Sequence, residues 1–270
     1  MLIFQKLLAC LDGSAPAEKI LPLARALTAP KGGRLTLLRI VPEAGALEDG
    51  YMRDCARRYG AELRFLVSTD PAAAIAAELE REPHAIAALT THGRTAWAEA
   101  ILGSVALRVI REAKRPVVVF RPPAEDRKTP KTISTVAVAL DGSNLSERII
   151  PHAAKASHFL SARLHLLQAL PVHPALAPLT DQEKSDVLES SYLQRKAAVI
   201  KGDYGIEAQW EVLHGDPADA ICRYLSDMPD TLLAMTTHAR GGLERAIIGS
   251  VAATCLRRAG VPLLLYWPRQ

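Results

Sequence analysis

Apolar residues recur along the chain in short, nearly continuous runs: "KLLACL" at 6–11, "RLTLLRIV" at 34–41, "AELRFLV" at 61–67, "AIAALT" at 85–90 and "PVVVF" at 116–120. Runs of this length bounded by Gly, Asp and Pro suit strands buried on both faces, as in a parallel sheet. Between them the apolar positions take helical spacing. One helix is expected from the Asp12-Gly13-Ser14 turn through Leu27, a second near 46–59, a third after Asp70-Pro71 and a fourth over 104–114. Asp as cap and Pro at the first helical position mark the third start. The alternation reads β-α-β-α-β-α-β-α-β and predicts a doubly wound parallel sheet.

The whole pattern occurs twice. "LDGSAPAEKILPLA" at 11–24 returns as "LDGSNLSERIIPHA" at 140–153, and "TTHGRTAWAEAILGSVALRVIREAKRPVVVFRP" at 90–122 returns without a gap as "TTHARGGLERAIIGSVAATCLRRAGVPLLLYWP" at 236–268. The second set of strands is "TVAVAL", "RLHLLQAL", "EAQWEVL", "TLLAMT" and "PLLLYW". Between the copies, "PAEDRKTPK" (123–131) has the Pro-rich, charged composition of a linker. The expected fold class is therefore α/β: two tandem doubly wound domains, 1–122 and 132–270, each a five-stranded parallel sheet with helices on both faces. Asp12 to Asp70 spans 58 residues and Asp141 to Asp216 spans 75. The first copy thus has a shortened middle, and the second is expected to carry a longer loop around Pro171–Pro178 before a helix near 181–200.

Composition narrows the core. Hydrophobic residues make up 49% of the chain and aromatics 5%, so Ala, Leu, Val and Ile must fill it. A net charge of +4 without a long Lys/Arg run describes a solvated surface and no nucleic-acid footprint. Cys10, Cys55, Cys222 and Cys255 form no C-x-x-C pair, as expected of reduced thiols and neither a disulfide framework nor a zinc site. Leu7-Leu8-Ala9-Cys10 imitates a lipoprotein cleavage box. Gln5 and Lys6 interrupt a segment too short for the apolar region of about 7–15 residues that a signal peptide needs. No apolar run nears the roughly 20 residues that span a bilayer. A cytoplasmic location with no membrane partner is the expectation.

Candidate chemistry gathers where doubly wound sheets bind ligands, outside the carboxyl ends of the strands at the switch in strand order. The turns Asp12-Gly13-Ser14 and Asp141-Gly142-Ser143 and the Thr-Thr-His turns after Thr90 and Thr236 all lie at such ends. Gly103-Ser104-Val105 and Gly249-Ser250-Val251 begin helices, whose free N–H groups and partial positive charge favour phosphate. A plain helix cap is the competing reading. Asp12 and Asp141 are expected as N-caps with a ligand role in addition. His92 and His238 have no carboxylate partner identifiable by spacing, which favours a structural hydrogen bond over acid–base work. Arg94 and Arg240 approach phosphates or stay solvated. Ser14 and Ser143 are poor nucleophile candidates because G-x-S-x-G is absent. Neither G-x-x-x-x-G-K-[ST] nor G-x-G-x-x-G occurs. No catalytic or metal-ligating set stands out, and without a base, arginine finger or Lys clamp phosphoryl transfer would at most be slow.

On these residues the chain resembles a tandem member of the universal stress protein family over nearly its whole length. The resemblance implies a Rossmann-like fold of the adenine-nucleotide α-hydrolase type. Family members that bind ATP carry G-x2-G-x9-G-[ST] after the fourth strand. This sequence has Thr90-x2-Gly93-x9-Gly103-Ser104 and Thr236-x2-Ala239-x9-Gly249-Ser250. It keeps the spacing and the Gly-Ser, with Thr for the first glycine in both copies and Ala for the second in copy two. The resemblance further implies that Asp12 or Asp141 lies beside the nucleotide, and that Ile40 and Val41, or Ala169 and Leu170, offer backbone groups to adenine. The implied ligand is ATP or a related adenine nucleotide, with magnesium an optional companion. The implied role is a cytosolic stress-response sensor or regulator, with the closing strands of the copies meeting within or between chains and a homodimer expected. Gly93 against Ala239 ranks copy one as the better phosphate site. One alternative is a scaffold without nucleotide, working through protein contacts. An enzyme of the α-hydrolase group would need Ser-Gly-Gly-x-Asp-Ser, which Leu-Asp-Gly-Ser does not supply.

Overall fold

The computed structural model describes residues 3–43, 50–91, 102–122, 129–171, 179–237 and 248–268, with 179–189 described by backbone alone. The first half runs β1 (Lys6–Leu11), α1 (Ala15–Glu18), α2 (Leu21–Thr28), β2 (Arg34–Val41), α3 (Gly50–Tyr59), β3 (Glu62–Val67), α4 (Pro71–Arg81), β4 (Ala85–Thr90), α5 (Ser104–Glu112) and β5 (Val117–Phe120). The second half repeats it as β6 (Thr135–Leu140), α6 (Asn144–Glu147), α7 (Ile150–Leu160), β7 (Arg163–Leu170), α8 (Leu179–Tyr204), β8 (Ala208–His214), α9 (Pro217–Leu225), β9 (Thr231–Thr236), α10 (Ser250–Arg258) and β10 (Leu263–Tyr266).

One local expectation needs correction. The single helix expected through Leu27 is two, α1 and α2. Pro22 near the start of α2 has no N–H to offer the Glu18 carbonyl one turn back, so the helix re-starts. Pro151 does the same between α6 and α7. The longer loop expected around Pro171–Pro178 falls on 172–178, which lie outside the described residues. Eight residues separate β2 from α3 and eight separate β7 from α8; the extra length is in the helix, 26 residues in α8 against 10 in α3.

The strands form one sheet of ten, in the order β3-β2-β1-β4-β5-β10-β9-β6-β7-β8. Each half therefore reverses direction between its first and fourth strands. All neighbouring pairs are parallel except β5 with β10. There Leu264 pairs with Val118, the corresponding position of the other copy, which puts a local twofold at that pair. The two expected five-stranded sheets are thus fused through their closing strands. This removes both as open edges, a general hazard of sheets.

Helices cover both faces, and each face carries one core that runs across the join. On one side Leu21 of α2, Met52 of α3, Phe159 of α7 and Leu193 of α8 belong to a single cluster. Phe4 and Phe159, from different copies, meet edge to face at 6.1 Å between ring centres. On the other side Ile75 of α4, Val109 of α5, Ile221 of α9 and Leu256 of α10 share a second cluster. Asp70 and Asp216 cap α4 and α9, accepting from Ala73 N and from Ala218 and Asp219 N, with Pro at the first turn of each. Among the described residues no helix is long and apolar enough to cross a membrane.

Candidate functional site

The turn after β1 is built by side chains that bond their own backbone. Asp12 Oδ1 accepts from Ser14 N at 2.9 Å and from Ser14 Oγ at 2.6 Å, and Ser14 Oγ accepts from Ala17 N. In copy two Asp141 Oδ1 accepts from Ser143 N at 2.9 Å and Oγ at 2.5 Å, and Ser143 Oγ accepts from Ser146 N. The N-cap of each short helix is therefore the serine, correcting the expectation for Asp12 and Asp141. Each aspartate instead closes an Asx turn that aims the cap. Gly13 and Gly142 stand between them at φ of 80° and 78°, in the left-handed region that glycine enters without penalty. A side chain at Gly13 would also collide with the Arg39 guanidinium.

Beside this turn a cavity of about 260 Å³ opens at the carboxyl ends of β1, β2 and β4. Its base is apolar, made by Cys10, Leu38, Ile40 and Leu89, with Pro71 and Ile75 of α4 as one wall. Asp12, Thr90 and Thr91 and the start of α5 (Gly103, Ser104, Val105 and Ala106) supply its polar side. Cys10 Sγ donates to Leu8 O at 3.6 Å, and burial pushes the thiol up to about 12, so it stays protonated and unreactive. A flat apolar group fits the base, and an anion fits the helix start, where the first-turn N–H groups have no partner within the helix.

The start of α5 differs from expectation in one respect. Gly103 N donates to Thr91 O at 2.7 Å, and Gly249 N to Thr237 O at 2.5 Å. The glycine N–H groups thus tie each helix to its neighbouring strand end, which leaves the donor role to the following residues. Gly103 has φ −65°, ordinary extended backbone. A Cβ there would stand 3.2 Å from the Thr91 carbonyl oxygen. Glycine allows this close approach of helix to strand without a shift of either.

Of the candidate residues, Asp12, Ile40, Thr90, Gly103, Ser104 and Val105 line the cavity. Gly13 and Ser14 shape the turn beside it. The Val41 carbonyl accepts from Ser68 N at 2.8 Å and that of Leu170 from Gly215 N at 2.9 Å, so both are engaged by the turns that follow. Any backbone group these two offer to a base is therefore shared with those turns. In copy two, Asp141, Thr236, Gly249 and Ser250 occupy the corresponding places, while Ala169 and Val251 pack on the same-face core. Gly93, Arg94, His92, Ala239, Arg240 and His238 lie outside the described residues. Leu38, Leu89 and Ile75 were not singled out from sequence, where Cys10 and Pro71 stood out only as a thiol and a helix start. The period-two alternation of β2 and the i, i+4 spacing on α4 carry that signal once the facing side is known. No group of three His, Cys, Asp or Glu is placed to hold a metal among the described residues.

A family model described as the universal stress protein family matches residues 53–121 and 132–266. A universal stress protein of Synechocystis sp. is 29% identical over 182 residues, 66% of this chain. The match spans 56% of that relative's own length. A second universal stress protein, from Methanocaldococcus jannaschii, is 24% identical over 141 residues, 48% of this chain and 79% of the relative. Among solved structures, a universal stress protein from Archaeoglobus fulgidus shares the fold at a TM-score of 0.66 with 20% identity, covering 98% of each chain.

Proposed function

The chain belongs to the universal stress protein family, and on that premise we propose that it binds ATP or a related adenine nucleotide in one or both copies. The observation that carries this reading is the cavity at the β1/β4 reversal, apolar at its base and faced by Asp12 and the start of α5. In this reading adenine lies against Ile40 and Leu38, and the phosphates extend along the first-turn N–H groups of Ser104, Val105 and Ala106. At about 260 Å³ the cavity is slightly below the roughly 300–1,000 Å³ of small-molecule sites, so it takes the base while the phosphates run outward past Ser104. Magnesium, where present, would travel with the phosphates. The units doing this are 1–122 and 132–270, joined by 123–131.

The role we infer is cytoplasmic sensing or regulation. Asp12 is held by two hydrogen bonds on Oδ1 within its own turn, which suits positioning better than proton abstraction, so hydrolysis would at most be slow. The second reading, a scaffold without nucleotide, is favoured by Thr90 and Thr236 in place of the glycine of ATP-binding relatives; both are buried. The test is to denature the purified protein and identify released small molecules by mass spectrometry, followed by calorimetric titration with ATP and AMP. Stoichiometric adenine nucleotide, or saturable binding, supports the first reading; neither at millimolar nucleotide establishes the scaffold.

A further inference from the structure

A second cavity, of about 240 Å³, lies at the junction of the two copies. It opens among the turns that precede β4 and β5 and the helix α7, away from Asp12 and Ser104. Its polar lining holds three cations and two imidazoles: Lys114, Arg115 and His84 come from the first copy, and Lys155 and His152 from α7 of the second. Ile3, Ala85, Ile86 and two prolines supply the rest of its walls, and such apolar walls strengthen the field of the charges.

The lining contains no carboxylate. Those nearest along the chain are engaged: Glu80 with Lys114 at 2.6 Å, Glu82 with Lys6 at 2.7 Å and Glu112 with Arg108 at 3.2 Å. With Lys114 balanced by Glu80, the charges of Arg115 and Lys155 remain as a surplus. Arg115 is held in place, its Nη1 donating to the carbonyls of Glu82 at 3.0 Å and Ala85 at 3.2 Å. Burial disfavours its charge, drawing the guanidinium below its ordinary range. Lys114 takes a left-handed backbone, φ 50°, unusual for a side-chain-bearing residue. The His152 ring packs on Tyr266 at 4.7 Å between centres.

We propose that this junction crevice is a ligand site for a compact polyvalent oxyanion of the diphosphate class, held between the copies by Arg115 and Lys155. Two unbalanced cations in a crevice of about 240 Å³ match a small anion with at least two charges. His84 and His152 add imidazole N–H donors. Because the groups come from both copies, the bound anion clamps one to the other, a stabilisation that follows from mass action.

The experiment titrates the full-length chain with inorganic diphosphate and, separately, orthophosphate at constant ionic strength, with chloride as the control. Calorimetry and thermal melting report binding. Three forms are compared: wild type, Lys155→Glu and Ser104→Asp. Saturable diphosphate binding that raises the melting temperature, falls about tenfold in Lys155→Glu, and persists in Ser104→Asp supports the site. Lys155→Gln gives the same comparison should Lys155→Glu fold poorly. His152 offers an independent readout. Burial, and next the charge of Lys155, holds its imidazole down to about 4; a bound anion favours the imidazolium, so its titration followed by NMR moves upward. Diphosphate binding no better than chloride, or lost in Ser104→Asp and kept in Lys155→Glu, overturns the proposal.

Discussion

Single residues in the site do different work from what their types suggest. Aspartate after a strand looks like a helix cap, yet Ser14 and Ser143 cap, and the aspartates orient them. Gly103 looks like a concession to phosphate, but it is equally a concession to Thr91 O. Replacing Gly103 by valine would therefore disturb the protein and its ligand together. Ser104 is the cleaner probe. An aspartate at the start of a helix favours the helix by about 0.3–1 kcal/mol, while its charge repels phosphate. Ser104→Asp is expected to keep or raise the melting temperature and weaken ATP binding at least about tenfold, about 1.4 kcal/mol. Ser250→Asp made separately tests the asymmetry. Ile40 offers a base more apolar surface than Ala169, and the sequence pairs Gly93 with Ala239, so the first copy should dominate. A larger loss in Ser250→Asp by calorimetry would reverse that ranking. Glu78 shows what residue type alone cannot convey. It sits in Ala-rich α4 with its side chain fully buried, and Arg64 reaches it from β3 to form an ion pair. No spacing in the sequence relates positions on two elements whose packing is not yet known.

At the scale of elements, the caps and prolines were legible because they act within a few residues. Asp70-Pro71 and Asp216-Pro217 begin helices as expected. Asp216→Ala should cost about 1 kcal/mol, read as a lower denaturant midpoint at unchanged slope. Asp70 adds a pH signature. Hydrogen bonds from Ala73 N, and then from Arg108, hold its carboxyl below the ordinary 3.8. A folded-state value below the unfolded one means that its contribution is present above the ordinary carboxylate range and is lost as pH falls through the folded value. Wild type and Asp70→Asn should accordingly differ in melting temperature at neutral pH and converge in acid. A gap that persists in acid would show the charge to be irrelevant. The breaks at Pro22 and Pro151 were equally local in cause, but helical periodicity continues across them and conceals the re-start. The length of α8 was hidden because a count between two landmarks does not say whether added residues lengthen a loop or a helix.

For the molecule as a whole, the join between β5 and β10 matters most. The cores on both faces run through it, so the two halves should unfold together. Calorimetry of the wild type is expected to show one transition. Val118 lies at the local twofold and is fully buried. Val118→Asp places an unpaired charge there, which costs several kcal/mol, and should lower the melting temperature and uncouple the halves into two transitions. Two transitions already present in the wild type would show that the continuous cores do not couple them.

The duplicated pattern determined, without any coordinates, that there are two copies of one α/β unit, where its strands and helices alternate, and which strand ends and helix starts carry the polar groups. These follow from interactions a few residues long: side-chain alternation, capping and the geometry of proline. Tertiary structure alone decided that Leu38, Ile75 and Leu89 face Asp12 across one cavity, that the Gly103 N–H is spent on Thr91, and that two five-stranded sheets close into one of ten. It also decided that Arg115 and Lys155, 40 residues apart in sequence, line the same crevice. Such pairings depend on which faces and edges meet once apolar surface is removed from water. That choice is set by the summed packing of the whole chain and by no local run of residues.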